Sequence, residues 1–144
     1  MKIATRFGEM EIDENKMIYF KEGLPGFERL KQFILLEDEE SNFCYLQSVE
    51  DKDIAFTIIS PEYVKADYAP HIGESYFEKL GGGATDEFVL YNIITLRNPI
   101  EESTINLQAP LLIHIDKRLG VQVIVEDKHY KVRENLMKLI KERS

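Results

Sequence analysis

Residues 99–115 read PIEESTINLQAPLLIHI, and this stretch decides the fold. After the loop 99–103 the chain alternates, with Ile105, Leu107 and Ala109 on one face and Thr104, Asn106 and Gln108 on the other. A period of two is the signature of a strand with one buried side. Pro110 interrupts it, because proline has no N–H to give to a ladder and is confined to edges, strand starts and bulges. A second apolar run, Leu111 to Ile115, follows at once. The pattern predicts a strand that meets a bulge or corner and continues into the core. Its polar face is unusual, since Asn is depleted in strands.

The chain has 144 residues, which predicts one domain (1–144) with a sizeable core. With 44% hydrophobic and 31% charged residues the composition is that of a globular protein. No apolar run approaches the ~20 residues that span a bilayer. The N-terminus MKIATRFGEMEIDENK carries acids where a signal peptide has none, so a cytoplasmic protein is expected. The net charge of −8 is unevenly distributed. Residues 1–127 hold 24 acidic and 12 basic side chains, and residues 128–144 hold 6 basic and 2 acidic ones. An acidic body repels nucleic acid and suits a basic protein partner.

Outward from the opening stretch, strong β formers recur at close spacing. Residues 3–20 predict two or three short strands. The segment Gly23-Leu24-Pro25-Gly26-Phe27 predicts a type II turn, with Pro25 at i+1 and Gly26 taking the positive φ at i+2. A short helical turn over Glu28 to Lys31 is expected next. Strands follow at 33–36, 43–49 and 54–60. Between the first two lies Glu37-Asp38-Glu39-Glu40, too densely charged to be buried and therefore a solvated loop. The segment 61–73 is irregular, Glu74 to Leu80 is a short helix, and Glu87 to Leu96 is the longest strand. Gly81-Gly82-Gly83 follows a helix and precedes a strand, the wrong order for a phosphate cradle. Val121, Val123 and Val125 share one face of a further strand. Val132, Leu136, Leu139 and Ile140 then recur at helical spacing, which predicts a C-terminal amphipathic helix. Eight to ten short strands with one short internal helix and a C-terminal helix make a mostly β chain, a small antiparallel β-barrel-like domain.

Catalytic chemistry finds little support. His71, His114 and His129 stand at no metal-ligand spacing, and there is no CxxC, HxxxH or GxSxG. Carboxylates are abundant, but a glycosidase pair needs a shared cleft. Cys44 lies among Glu37 to Glu40 and Asp51, an environment that raises a thiol pKa and leaves it unreactive. A non-catalytic binding protein without cofactor or metal is expected. A small-ligand-binding barrel of lipocalin type is the alternative, and it requires an enclosed apolar cavity.

Several segments occur in a distinctive order: Phe20-Lys21-Glu22-Gly23-Leu24-Pro25-Gly26-Phe27-Glu28, Leu46-Gln47-Ser48, Asp53-Ile54-Ala55-Phe56, Ile94-Thr95-Leu96 and residues 103–113, STINLQAPLLI. Together they resemble the flagellar assembly factor FliW family, from about Phe7 to Tyr130. The resemblance implies a barrel-like protein without catalytic activity, and no direct contact with nucleic acid or membrane. It implies two protein partners. One is CsrA, an RNA-binding repressor of flagellin mRNA that the factor would antagonise; the other is flagellin, which would sequester the factor until export.

Candidate partner contacts fall in three groups. Thr104, Asn106 and Gln108, with Gln47 and Ser48, either present a recognition surface or cap a bulge. Glu37, Asp38, Glu39 and Glu40 offer charge to a basic partner. Tyr63 and Tyr68, with Ile72, either line an apolar groove for an amphipathic flagellin terminus or belong to the rim of the core.

Overall fold

The structure is a computed structural model that describes residues 1–143. The strands are β1 (Lys2–Thr5), β2 (Gly8–Glu11), β3 (Met17–Tyr19), β4 (Gln32–Glu37), β5 (Phe43–Ser48) and β6 (Ala55–Ile59), then β7 (Phe88–Thr95), β8 (Thr104–Ile105), β9 (Leu111–His114), β10 (Leu119–Gln122) and β11 (Glu134–Asn135). Helix α1 (Glu74–Lys79) lies before β7, and α2 (Leu136–Arg143) ends the described chain. Strands β3 to β7 pair in sequence as an antiparallel meander; β7 also pairs with β9, β9 with β10, and β10 with β3. The seven strands therefore close into a barrel, as the mostly β reading expects. Closure comes from a single parallel contact, Leu119 opposite Tyr19.

Alternation along the strands sorts the side chains. Val89, Tyr91 and Ile93 of β7 turn inward to the cluster that holds Phe20, Phe33, Leu46, Ile58, Leu111 and Ile113. Phe88 and Ile94 turn outward and are covered by Val64, Leu80, Val123, Tyr130, Leu136 and Leu139. A strand buried on both faces reads as a continuous apolar run, which is why FVLYNIIT shows so little alternation. The β1–β2 hairpin covers the outer face of β4, where Ile3 and Ile12 enclose Ile34.

The barrel interior is filled. Phe20 meets Phe33 edge to face at 5.4 Å, and Phe33 meets Phe56 at 6.1 Å. At Gly120 even a methyl group would lie 2.5 Å from the Phe20 ring, so glycine is what lets β10 pass the core. This packing overturns the lipocalin alternative, since the space a ligand would need holds aromatic side chains.

Local expectations hold at the turn and fail at four places, one of them the strand read through Val121, Val123 and Val125, which spans only Leu119–Gln122. Gly26 has φ +85° and the Phe27 N–H donates to the Leu24 carbonyl at 2.7 Å, as a type II turn requires. Residues 28–31 form turns without a helix. The strand read over residues 104–109 is only Thr104–Ile105, because the chain turns at Asn106. Its burial still alternates, with Ile105, Leu107 and Ala109 inside. Val132 is exposed and precedes the C-terminal helix, which begins only at Leu136. Its start is fixed by Asn135, whose Oδ1 accepts from the Lys138 N–H at 2.9 Å, an N-cap bond. Residues 134–135 pair with β8.

Candidate protein-interaction surface

Gln47 and Ser48 are 0% exposed, so neither side chain is a surface contact. That corrects their reading as recognition residues. The Gln47 side chain turns out from β5 under the β1–β2 hairpin. Its Oε1 accepts from the Arg6 N–H at 3.0 Å, and its Nε2 donates to the carbonyls of Ser48 (3.0 Å), Lys52 (3.1 Å) and Ile54 (3.3 Å). Ser48 Oγ accepts from the N–H groups of Glu50 (3.1 Å) and Asp51 (3.0 Å). The pair locks the β5–β6 turn and ties the hairpin to the barrel, satisfying backbone groups that burial would otherwise leave unpaired.

Asn106 does similar work where the opening stretch bends. Its Oδ1 accepts from the N–H groups of Gln108 (3.1 Å) and Ala109 (2.9 Å), while its carbonyl accepts from Asn92 Nδ2 (2.9 Å). The Asx turn allows the chain to leave β8 and re-enter the barrel as β9 beyond Pro110. Gln108 is held through its backbone, its carbonyl accepting from the Val125 N–H at 3.0 Å. Thr104 is half-buried in β8, opposite Thr95 on one side and Asn135 on the other.

A different set of residues comes together at the other end of β5. The β4–β5 loop, the segment after β6 and the first half of β7 enclose a groove of about 820 Å³. Glu37, Asp38 and Glu62 stand on its rim, and Tyr63, Tyr68, Phe43, Phe77 and Tyr91 supply aromatic surface. Glu39 and Glu40 are exposed beside Asp38, whose carboxylate accepts from the Glu40 N–H and the Ser41 hydroxyl. Tyr63 is 46% exposed. Tyr68 is anchored: its hydroxyl donates to the Leu107 carbonyl at 2.6 Å and its ring meets Tyr130 edge to face at 4.8 Å. Burial pushes its phenol up to about 12. Of the two tyrosines, Tyr63 is the exposed one, and Tyr68 lines the groove while tying its wall to the NLQAP stretch.

Sequence reasoning passed over Cys44, Val89, Leu90 and Tyr91 as groove residues. The signal was Pro61, a strand terminator one residue beyond the end of β6 that opens a gap beside β7. Burial pushes the Cys44 thiol up, and Glu37 and Asp38 push it further, as its neighbours in sequence suggested.

Beyond the groove, His71 and Asp127 clamp the segment after β6. The His71 N–H donates to Asp127 Oδ1 at 2.6 Å, and its ring Nδ1 lies 3.0 Å from Oδ2. These bonds, the backbone one foremost, hold the Asp127 carboxyl below its ordinary value. A depressed carboxylate stabilises the fold above the unfolded-state pKa, and that stability is lost as pH falls through the folded-state value. Asp127→Asn is therefore expected to be less stable than the native chain at neutral pH, with the gap closing under acid. Paired urea titrations across the pH range measure it, and a gap that does not change with pH contradicts the assignment.

The fold is a closed seven-stranded β-barrel with an apolar, aromatic interior and an open groove between its loops. The comparisons give the particular family. The FliW protein family model matches residues 2–136. The flagellar assembly factor FliW of Caldicellulosiruptor saccharolyticus is 39% identical over 127 residues, covering 88% of this chain and 84% of that protein. The Geobacillus sp. (strain WCH70) protein of the same name is 39% identical over 137 residues, covering 94% and 95%. A crystal structure of the flagellar assembly factor FliW superposes with a TM-score of 0.88 at 38% identity, over 94% of this chain and 96% of that one. The chain belongs to the FliW family. Among the described residues, no helix is long and apolar enough to cross a membrane.

Proposed function

We propose that this protein is a non-catalytic, cytoplasmic flagellar assembly factor that binds CsrA and relieves its repression of flagellin mRNA. Flagellin competes for it, so that flagellin accumulating before export releases CsrA to repress again. The family match over residues 2–136 carries this reading. The charge distribution supports the first partner. An RNA-binding protein is basic, and this chain offers it an acidic body with Glu37, Asp38 and Glu62 around one groove. The exposed ring of Tyr63 and the apolar floor of the groove supply the desolvated anchor that such an interface needs.

A sizing-column experiment with purified CsrA tests the reading: co-elution is expected, and separate elution of the two proteins at saturating concentration contradicts it. Reversing Glu37, Asp38, Glu39 and Glu40 to Lys is expected to slow association at low salt by about tenfold or more, the difference shrinking as ionic strength passes ~0.15 M. Unchanged association at low salt would reduce the acidic cluster to a solubilising loop.

A further inference from the structure

The groove has an open strand edge in its floor. One edge of β7 is fully used, with Phe88–Tyr91 on β9 and Ile94–Thr95 on β8. On the other edge only Asn92, Ile93 and Ile94 pair, with β6. Direction follows from alternation. The Glu87 carbonyl accepts from Ile115 N–H and the Ile93 carbonyl from Asn106 N–H, both at 2.9 Å, so odd-numbered residues present their backbone to β9 and β8. Phe88, Leu90 and Asn92 therefore face the β6 side. Asn92 meets Ile59 there, and the register would set residue 61 opposite Leu90. Residue 61 is proline, with no N–H to give. Its carbonyl is already taken by the N–H groups of Val64 (3.0 Å) and Lys65 (2.9 Å). The Phe88 N–H donates to the Thr85 carbonyl, so among the described residues the groups on that side without a backbone partner are the N–H and C=O of Leu90 and the C=O of Phe88.

We infer that this edge receives an extended, basic segment of the RNA-binding partner by strand addition. Main-chain bonds to the Leu90 N–H and C=O and to the Phe88 C=O would supply affinity, and alternate side chains would enter the two halves of the groove. On the inner side lie Cys44 and Tyr91; on the outer side lie Ile72 and Phe77. Charge selects a basic occupant. Glu37, Asp38 and Glu62 face the groove, and its one lining cation, Lys65, already sits 3.2 Å from Asp67. An apolar segment flanked by Lys or Arg satisfies both the floor and the rim. The inference rests on the CsrA reading above and locates the contact.

Amide hydrogen exchange by NMR tests it on the whole protein. In the free chain the Leu90 amide is expected to exchange at least ~100-fold faster than those of Val89 and Tyr91, which are paired to β9. At saturating CsrA the Leu90 amide is expected to slow by at least ~10-fold. A complex on the sizing column with Leu90 still fast overturns strand addition and leaves the proposed function standing. Protection by flagellin but not by CsrA overturns the choice of occupant. Absence of any complex overturns both readings, and slow exchange in the free chain overturns the open edge itself.

Discussion

Replacing Phe33 by alanine is expected to destabilise the fold by about 3–5 kcal/mol, the usual cost of removing a fully buried phenyl ring. Phe33 is 0% exposed and stands between Phe20 and Phe56, with ring centroids 5.4 Å and 6.1 Å away. A barrel interior relaxes poorly around a void, because its strands are held by pairing on both sides. Gly120 shows how little slack there is, since its missing side chain is what admits the Phe20 ring. For a domain of this size the loss corresponds to a melting temperature lower by about 10 °C or more. Thermal unfolding followed by circular dichroism measures it. Tyr63→Ala is the useful contrast: the ring is 46% exposed, so stability is expected to change by less than ~0.5 kcal/mol while CsrA binding weakens. A small effect at Phe33 would mean that the barrel interior is not the packed core described.

Gln47→Ala is the second large effect, expected at about 2–4 kcal/mol. The substitution leaves the Arg6 N–H and the carbonyls of Ser48 and Lys52 without their side-chain partner in a partly buried site, while the Ile54 carbonyl keeps the Ser48 N–H. Each buried polar group left unsatisfied costs about 1–3 kcal/mol, reduced where water enters the space. The damage is expected to be local as well as global. Amides of the β1–β2 hairpin and of residues 49–54 should exchange faster than those of β7, because Gln47 is what ties the hairpin to the β5–β6 turn. Were Gln47 a partner contact, its removal would instead weaken CsrA binding at unchanged stability. Equilibrium urea denaturation beside a binding titration separates the two outcomes.

That contrast shows how the sequence can and cannot be read. The GLPGF turn, the long strand near residue 90 and the apolar face of Ile105, Leu107 and Ala109 are local patterns, and each appears where its period or turn chemistry puts it. Polar residues in strands are ambiguous in a way that periodicity does not resolve. Gln47, Ser48 and Asn106 stand out because they break the expected composition of a strand, and a recognition surface would look the same. What decides between them is the partner of each hydrogen bond, and those partners are set by tertiary placement: Arg6 lies 41 residues from Gln47. The groove was hidden for the same reason. Tyr63 and the acidic run were visible, but their meeting with Val89 and Tyr91 depends on β6 ending at Ile59, just before Pro61, while β7 continues. Val132 illustrates the opposite error. Its spacing fits the helical stripe, yet Asn135 caps the helix three residues later and leaves Val132 outside.

The most direct test of the regulatory role is a three-component titration. CsrA is bound to a labelled flagellin leader RNA, this protein is added to saturation, and purified flagellin is then added in excess. The account predicts that the RNA is released at the second step and rebinds at the third. RNA that stays bound to CsrA at saturating concentrations of this protein would contradict it.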